Sequence, residues 1–263
     1  MNNNKASLLR YPGGKQRLLN WLIDYLPARE IVGGKYIEPF IGGGAVFLRI
    51  IPNKAILSDI NPELINLYKG IKINPQKIWD IYKRFPNDKD GYYSVRDITS
   101  QKGDIEFSAA RTLYLNRTCF KGMWRHNSKG VFNVGYGGQS RRWKITLKDL
   151  IDVSNSLKKA TIRCSDFDAI ISSAKEGDFI FIDPPYSPGQ INTVHDHYMY
   201  GTFNYKDQGR LAISLKAATK RGVQWCMTNS DHKEIIKLYK GNNIQPISSK
   251  RFRYEGQSLI QNY

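Results

Sequence analysis

Apolar runs and helical spacings alternate at both ends of the chain. Extended apolar runs predict strands at 35–40, 54–59, 161–164, 179–182, 223–228 and 258–262. Apolar residues at helical spacing predict helices over 17–26, from about 45 onward, over 64–68 and over 210–219. This alternation predicts an α/β fold, with a Rossmann-like, mostly parallel sheet that helices cover on both faces.

The middle of the chain breaks this pattern. Residues from about 72 to 148 are mixed, polar and basic, with helical patches such as 109–115. We therefore predict a main domain formed by residues 1–70 and 160–263, and an inserted, mainly helical domain at 71–159.

The composition changes the picture through its charge. The chain has 263 residues and a formal net charge of +17, which points to a polyanionic partner, either nucleic acid or an anionic membrane. No apolar run approaches the ~20 residues that span a bilayer, so we expect no membrane partner. The first five residues lack the apolar core of a signal peptide, and the three cysteines are scattered. Both features favour a cytoplasmic protein that associates with nucleoid or phage DNA, without a structural zinc site.

The positive charge is concentrated in the insert. No acidic residue lies between Glu106 and Asp149. Basic and aromatic residues alternate there: Arg111, Arg117, Lys121, Arg125, Lys129, Arg141, Arg142, Lys144 and Lys148, with Tyr114, Phe120, Trp124, Phe132, Tyr136 and Trp143. Basic side chains neutralise phosphates, and aromatic side chains stack on or wedge between bases. This pattern favours nucleic-acid contact over its alternative, a solvated basic face.

The strand at 179–182 ends in Asp183-Pro184-Pro185-Tyr186. Each proline fixes its own φ and lacks an N–H donor, and the residue before each proline is held extended. The loop is therefore stiff and rich in acceptors. An exocyclic amine on a flat base offers two donors to such a loop, and Tyr186 is placed to stack on the ring. The alternative is an ordinary surface turn after a strand.

A glycine-rich turn follows the strand at 35–40. The segment Glu38-Pro-Phe-Ile-Gly-Gly-Gly44 precedes a helix, and about twenty residues later Asp59 ends the next strand. Glycines allow a close backbone approach, and an acid at this position binds ribose hydroxyls in such folds. The pair predicts a nucleoside-type cofactor at the carboxyl ends of adjacent strands. Capping of the helix that begins at 61–63 is the alternative role of Asp59.

Two other motifs do not carry the chemistry they suggest. Tyr11-Pro-Gly-Gly-Lys15 lacks the spacing of a phosphate loop, since Gln16 follows the lysine. His195-Asp196-His197 has the residue types of a metal site but no supporting cluster, so we predict no metal. We expect His126 and His232 to be hydrogen-bonding or surface residues.

In this order, Tyr11–Lys15, Glu38–Gly44, Asp59 and Asp183–Tyr186 resemble the Dam-like (D12 or alpha-class) DNA adenine methyltransferase family. The segment at 115–127, with its continuation at 130–134, resembles the same family. The resemblance spans nearly the whole chain. It implies the class I S-adenosyl-L-methionine-dependent methyltransferase fold, with 1–70 and 160–263 as the catalytic domain and 71–159 as the DNA-recognition domain.

The resemblance also implies a cofactor, a substrate and residues for each. S-adenosyl-L-methionine would be the methyl donor and double-stranded DNA the substrate. The implied cofactor-binding residues are Tyr11, Lys15, Phe40, Gly42, Gly44, Asp59, Asp166, Phe167 and Asp183. The implied catalytic residues are Asp183, Pro184, Pro185 and Tyr186. The implied DNA-binding residues are Arg117, Phe120, Lys121, Met123, Arg125, Asn127 and Asn133, with Arg125 at the position that reads a guanine.

The expected reaction is methylation of the N6 nitrogen of an adenine flipped out of the duplex. The alternatives are cytosine-N4 methylation, methylation of a protein glutamine, an RNA substrate, and a DNA-binding regulator without catalysis. A GAT-containing target is the family expectation, but the family's Asn-Val-Pro-Phe-Gly is Asn133-Val-Gly-Tyr-Gly137 here, which leaves the target open. A cognate restriction endonuclease is a candidate partner, and we expect a monomer or a weak dimer.

Overall fold

The computed structural model describes residues 8–10, 15, 18–27, 33–98, 104–127, 130–186, 203–249 and 252–263. The strands in these ranges are β1 (Tyr36–Glu38), β2 (Ala55–Asp59), β3 (Ala160–Cys164), β4 (Phe179–Ile182), β5 (Gln224–Ser230), β6 (Asn243–Ser249) and β7 (Phe252–Gln261). The helices are α1 (Leu19–Leu22), α2 (Ala45–Ile50), α3 (Pro62–Ile73), α4 (Pro75–Arg84), α5 (Lys89–Asp97), α6 (Ile105–Thr118), α7 (Leu147–Leu157), α8 (Phe167–Ser172), α9 (Tyr205–Lys220) and α10 (Lys233–Leu238).

The strands form one seven-stranded sheet in the order β3-β2-β1-β4-β5-β7-β6. Strands β1 to β5 pair in parallel, and β7 lies antiparallel between β5 and β6. This arrangement confirms the predicted Rossmann-like, mostly parallel sheet. The chain leaves β1 for β2 on one side and later returns to β4 on the other. Such a reversal of strand order opens a crevice at the carboxyl ends of β1 and β4, where open α/β sheets bind ligands.

Strand β4 shows why the sheet is covered on both faces. All four of its side chains are buried, and they alternate between two hydrophobic clusters. Phe179 and Phe181 lie in a cluster with residues of α2, α3 and α6, whereas Ile180 and Ile182 lie in a cluster with residues of α8, α9 and α10. A strand buried on both faces reads as a continuous apolar run, which is the pattern that predicted it.

The residues of the predicted insert are mainly helical and pack directly on α3. Helices α4 to α7 lie within 71–159, and α6 packs against α3. One hydrophobic cluster includes Leu113 and Tyr114 of α6 together with Ile65 and Tyr68 of α3. The predicted boundary after residue 70 falls inside α3, whereas the boundary at 160 coincides with the start of β3.

Outside the predicted insert, three elements were not predicted: α8, α10 and β6. The two helices have only six residues each and begin at side-chain caps, Asp166 and His232. Strand β6 contains Pro246, which lacks an N–H donor, and its pairing with β7 shifts register just after that residue. Proline is tolerated there because β6 is the last strand of the sheet order.

Candidate active site at the carboxyl ends of the central strands

Three acidic side chains lie at the carboxyl ends of three neighbouring strands. Glu38 ends β1, Asp59 ends β2, and Asp183 directly follows β4. Glu38 is 2% exposed and accepts a hydrogen bond from the Tyr36 hydroxyl (2.8 Å). Its burial, with the negative charges of Asp183 and Asp59, raises its pKa to about 8. Glu38 belongs to the glycine-rich motif, but it was not predicted to be a site residue.

The glycine-rich turn lies between β1 and α2 and is tied to Asp59. The Gly42 N–H donates to Asp59 Oδ2 (3.1 Å), and the Tyr68 hydroxyl donates to the Gly42 carbonyl (2.9 Å). Gly42 and Gly44 have φ values of 47° and 65°, in the region that glycine adopts most readily. A Cβ on Gly44 would also lie 2.8 Å from the Tyr68 hydroxyl. The turn therefore requires glycine for both its conformation and its packing.

Asp59 does not cap the helix that follows it. Desolvation raises the pKa of Asp59 to about 6, although the N–H groups of Asn61 and Gly42 donate to its carboxylate. The N-cap of α3 is Asn61, whose Oδ1 accepts from the N–H groups of Glu63 (2.9 Å) and Leu64 (3.3 Å). The capping alternative for Asp59 is therefore wrong.

Aromatic rings line the same edge of the sheet. Phe40, in the glycine-rich turn, stacks on Phe167 of α8 (5.4 Å between centroids). Both rings meet Phe203 edge-on, at 5.6 and 5.8 Å. Asp166 caps α8 by accepting the Asp168 N–H (2.9 Å), and it also pairs with Arg210 (2.9 Å). Phe203 and Arg210 belong to this cluster but were not predicted from the sequence.

The carboxylate of Asp183 is held by three donors at one oxygen. Lys15 Nζ lies 2.7 Å from Oδ1, the Thr228 hydroxyl donates to it at 2.7 Å, and the Tyr186 hydroxyl donates at 3.1 Å. Lys15, only 5% exposed, also lies over the Tyr186 ring, with Nζ 4.7 Å from its centroid. Burial and the neighbouring Asp183 raise the pKa of Tyr186.

The structure thus brings together Lys15 and the loop 183–186, two parts of the predicted site that are far apart in sequence. Within the predicted cofactor set, Lys15 contacts the acidic loop, whereas Asp59 contacts the glycine-rich turn. Tyr11 and the segment His195–His197 lie outside the described residues.

The predicted DNA-binding segment forms a short hairpin after α6. Antiparallel bridges join Cys119 to Tyr136 and His126 to Phe132. On this hairpin the Arg125 Nε–H donates to Asn133 Oδ1 (3.0 Å), which fixes two predicted site residues relative to each other. The exposed residues of the hairpin include three predicted ones: Phe120, Lys121 and Asn127. Met123, Arg125 and Asn133 are half-buried.

The hairpin is linked to the main domain through a buried histidine. His126 Nε2 lies 2.8 Å from Glu63 Oε2, on the first turn of α3. Arg111 lies 3.9 Å from the other oxygen of the same carboxylate. His126 is therefore a hydrogen-bonding residue, as predicted, and it connects the segment of Arg125 to the helix that follows Asp59.

Part of the basic stretch faces inward, so only some of its basic residues are available for the predicted nucleic-acid contact. Arg111, Arg117 and Arg142 are buried, and their guanidinium groups donate to backbone carbonyls. Arg117 is 4% exposed, donates twice to the Arg141 carbonyl (2.9 and 2.6 Å), and burial lowers its pKa. We therefore leave Arg117 out of the DNA-binding residues. Tyr114 and Phe132 also lie in the hydrophobic core.

Neither a metal site nor a membrane span is found in the described part of the chain. No group of three or more His, Cys, Asp or Glu side chains there is arranged to hold a metal ion. No helix there is long and apolar enough to cross a bilayer.

Comparisons with known proteins place the chain in a family. The model of the D12 class N6 adenine-specific DNA methyltransferases matches residues 11–252. A DNA N-6-adenine-methyltransferase of Escherichia phage P1 is 36% identical over 94% of this chain, which spans only 33% of that protein. A type II methyltransferase of Lactococcus lactis is 34% identical over 95% of this chain and 91% of the relative. A DNA adenine methylase of Vibrio cholerae is 33% identical over 94% and 89%, respectively.

The family match and the named relatives agree with the geometry of the site. The acidic loop after β4, the glycine-rich turn after β1 and the acid after β2 all fall within the matched residues. The open, mostly parallel sheet is also the one that the resemblance predicted. The chain belongs to the family of D12 class N6 adenine-specific DNA methyltransferases.

Proposed function

We propose that the chain transfers a methyl group from S-adenosyl-L-methionine to the N6 nitrogen of an adenine flipped out of double-stranded DNA, within a GAT-containing site. The observation that carries the proposal is the anchoring of Asp183 at the carboxyl end of β4. Three donors converge on its Oδ1, and the loop that carries it contains two consecutive prolines. A fixed acceptor of this kind suits an exocyclic amine.

The acidic and aromatic side chains at this edge fit the proposed cofactor. S-adenosyl-L-methionine carries a sulfonium, an ammonium, two ribose hydroxyls and a flat adenine, and it would supply an electrophilic methyl group. Asp59 is placed to accept from the ribose hydroxyls, and the carboxylate of Glu38 to balance positive charge. Phe40 and Phe167 offer apolar ring surface for the adenine. The turn at Gly42–Gly44 allows a close backbone approach.

The acidic loop would act on the target adenine by positioning it. Flipping a base costs a few kcal/mol, and stacking on Tyr186 would offset about 1–3 kcal/mol of that cost. The Asp183 carboxylate and the Pro184 carbonyl would each accept one N6–H. Holding both hydrogens takes the nitrogen lone pair out of conjugation with the ring and directs it along the line of transfer. The charge of Asp183 would stabilise the positive charge that grows on N6.

The hairpin would read the DNA. Six of its residues would contact the duplex: Phe120, Lys121, Met123, Arg125, Asn127 and Asn133. Arg125 is held by Asn133 through its Nε–H, a bond that does not use the two outer nitrogens of the guanidinium. A bidentate contact to guanine O6 and N7 is worth about 1–3 kcal/mol of discrimination.

The decisive experiment identifies the methylated base. Purified protein is incubated with tritiated S-adenosyl-L-methionine and unmethylated DNA, and the DNA is digested to nucleosides. Label in N6-methyladenine is the expected result. Label in N4-methylcytosine would keep the fold and the acidic loop but reassign the base. Absence of label, with duplex binding intact, would make the chain a DNA-binding regulator.

Asp183 is tested by substitution. Asp183→Ala should abolish methylation and leave duplex binding largely intact, but it also leaves the buried Lys15 ammonium without this partner. Asp183→Asn keeps the size of the side chain and is the cleaner variant, with the same expected loss of turnover. Asp97→Asn is the control, because Asp97 is an exposed residue of α5 whose carboxylate pairs with the neighbouring Arg96. Turnover by Asp183→Asn at the rate of the control would contradict the assignment.

A further inference from the structure

We propose that Thr228 and the buried pair Gln208–Asn229 are positioning residues of this enzyme. Thr228 directs the Asp183 carboxylate, and the amide pair holds the Pro185 carbonyl and thereby the prolyl backbone that carries the second acceptor, the Pro184 carbonyl. The inference rests on the proposed function, in which the loop 183–186 holds the amine of the target base. None of the three residues belongs to the sequence motifs that identified the site. All three are fully buried and lie behind the loop, on β5 and α9.

Thr228 selects which oxygen of Asp183 faces the substrate. Its hydroxyl donates to Oδ1 at 2.7 Å, and Lys15 and Tyr186 contact the same oxygen. Among the described residues, none donates to Oδ2. A carboxylate held at one oxygen by three donors from different directions cannot rotate without breaking them. The geometry therefore assigns Oδ2 as the oxygen that accepts the N6–H.

Gln208 and Asn229 fix the prolyl backbone. Rings set φ at Pro184 and Pro185, and Pro184 is also restricted in ψ because another proline follows it. The remaining soft torsion is ψ of Pro185, which directs its carbonyl. The Gln208 Nε2–H donates to that carbonyl (3.4 Å), and the Asn229 Nδ2–H donates to Gln208 Oε1 (3.0 Å). The Asn229 Oδ1 in turn accepts the Ser230 N–H (2.8 Å), so the amide chain is anchored on β5.

Packing alone does not account for these residue types. A hydroxyl and two amides that are fully removed from water lose hydration, which only hydrogen bonds restore, whereas apolar side chains of similar size would carry no such cost. Each of the three polar groups directs its hydrogen bond toward the loop or toward the residue that holds the loop. Their shared target is the orientation of Asp183 and of the prolyl carbonyls.

The first test separates the hydroxyl of Thr228 from its shape. Thr228→Val keeps the volume and removes the donor, whereas Thr228→Ser keeps the donor and removes a methyl group. Misplacement of reacting groups by about 1 Å can cost ~100-fold in rate, so we expect Thr228→Val to lower the single-turnover methylation rate about 10- to 100-fold. The KM for DNA and the affinity for S-adenosyl-L-methionine should stay within about twofold, and Thr228→Ser should recover most of the rate. Thr161→Val is the matched control, since Thr161 is an exposed residue of β3, four strands away from β5.

The second test uses Gln208. Gln208→Met keeps the length of the side chain and removes the donor to the Pro185 carbonyl, and we expect about a 10-fold loss of single-turnover rate at unchanged KM for DNA. A Thr228→Val protein that methylates at the wild-type rate would overturn the role of Thr228. Equal losses in Thr228→Val and Thr228→Ser would overturn it as well, because they would trace the effect to packing. An unimpaired Gln208→Met protein would overturn the role of the amide pair.

The two levels of failure are distinguishable. A wild-type protein that labels no base refutes the proposed function and this inference together. A wild-type protein that labels a base, with both variants as active as the Thr161→Val control, refutes the inference alone. Circular dichroism and duplex binding show whether each variant is folded. If Thr228→Val does not fold, Thr228→Ala compared with Thr228→Ser tests the hydroxyl, and Gln208→Met still tests the amide pair.

Discussion

Binding of the cofactor should release a proton from Glu38. In the free protein this carboxyl is buried, lies near two other acids and has a pKa raised to about 8. A cation bound beside it favours the charged form and lowers the pKa. If the cofactor binds only when Glu38 is ionised, its affinity must fall wherever Glu38 is protonated in the free protein. We therefore compare the affinity for the cofactor at pH 7 and at pH 9, in the wild type and in Glu38→Gln.

The magnitude follows from the pKa. At pH 7 a group with a pKa of about 8 is ionised in roughly one molecule in ten, and at pH 9 in roughly nine in ten. Affinity that depends on the ionised form therefore rises about tenfold over this interval, which corresponds to about 1.4 kcal/mol. Asp59 does not interfere, because its pKa is raised only to about 6 and it is ionised throughout the window.

The assay is isothermal titration calorimetry with S-adenosyl-L-methionine between pH 7 and 9, in pairs of buffers that differ in ionisation enthalpy. The α-amino group of the ligand itself titrates near pH 8, so the quantity to compare is the ratio of affinities of the wild type and Glu38→Gln. Glutamine keeps the acceptor for the Tyr36 hydroxyl but cannot ionise. The ratio should grow about tenfold in favour of the wild type as the pH rises. A ratio that stays constant, or equal proton release by both proteins, would refute the reasoning.

Two further predictions concern stability. Arg142→Lys should lower the free energy of unfolding by about 3 kcal/mol in urea titrations, because the buried guanidinium donates to several carbonyls that one ammonium cannot all reach. Arg141→Lys, at the exposed neighbouring residue, is the control. A loss of unfolding free energy in Arg142→Lys no larger than the loss in this control would contradict the prediction. Gly137→Ala should cost about 1–3 kcal/mol, since its Cβ would lie 2.4 Å from the Cys119 carbonyl oxygen. Gly135→Ala is the control, since the atom nearest to its Cβ would be the Tyr93 hydroxyl at 3.8 Å, and it should change the free energy of unfolding by less than about 0.5 kcal/mol. Equal effects of Gly137→Ala and Gly135→Ala would contradict the prediction, because they would show that the contact with Cys119 is easily relieved.

The fold was predictable where local pattern and burial coincide. Strand β4 was predicted with its observed bounds because all its side chains are apolar and a proline-containing loop ends it. The positions of Asp59 and Asp183 at one edge of the sheet followed from the rule that parallel strands present their carboxyl ends at the same edge, whereas the role of Glu38 was missed. Strand β6 was not predictable, because its apolar residues are few and its pairing depends on β7. The contact of Lys15 with Asp183 joins residues 168 positions apart, a separation over which local pattern carries no information.

The buried arginines of the insert show why charge alone did not predict the site. Helix α4 is followed by Phe85 and α5 by Ile98, so neither ends in the glycine that usually satisfies the last carbonyls of a helix. Arg142 donates to carbonyls at the end of α4, and Arg111 donates to carbonyls in the last turn of α5. A cation at a helix C-terminus also meets the negative end of the helix dipole. Some arginines of this basic segment therefore satisfy backbone carbonyls, and only the others are available for the proposed DNA contact. Which arginines are used in this way depends on whether a neighbouring helix leaves its last carbonyls without donors. That depends on how distant segments pack and not on the number of charges.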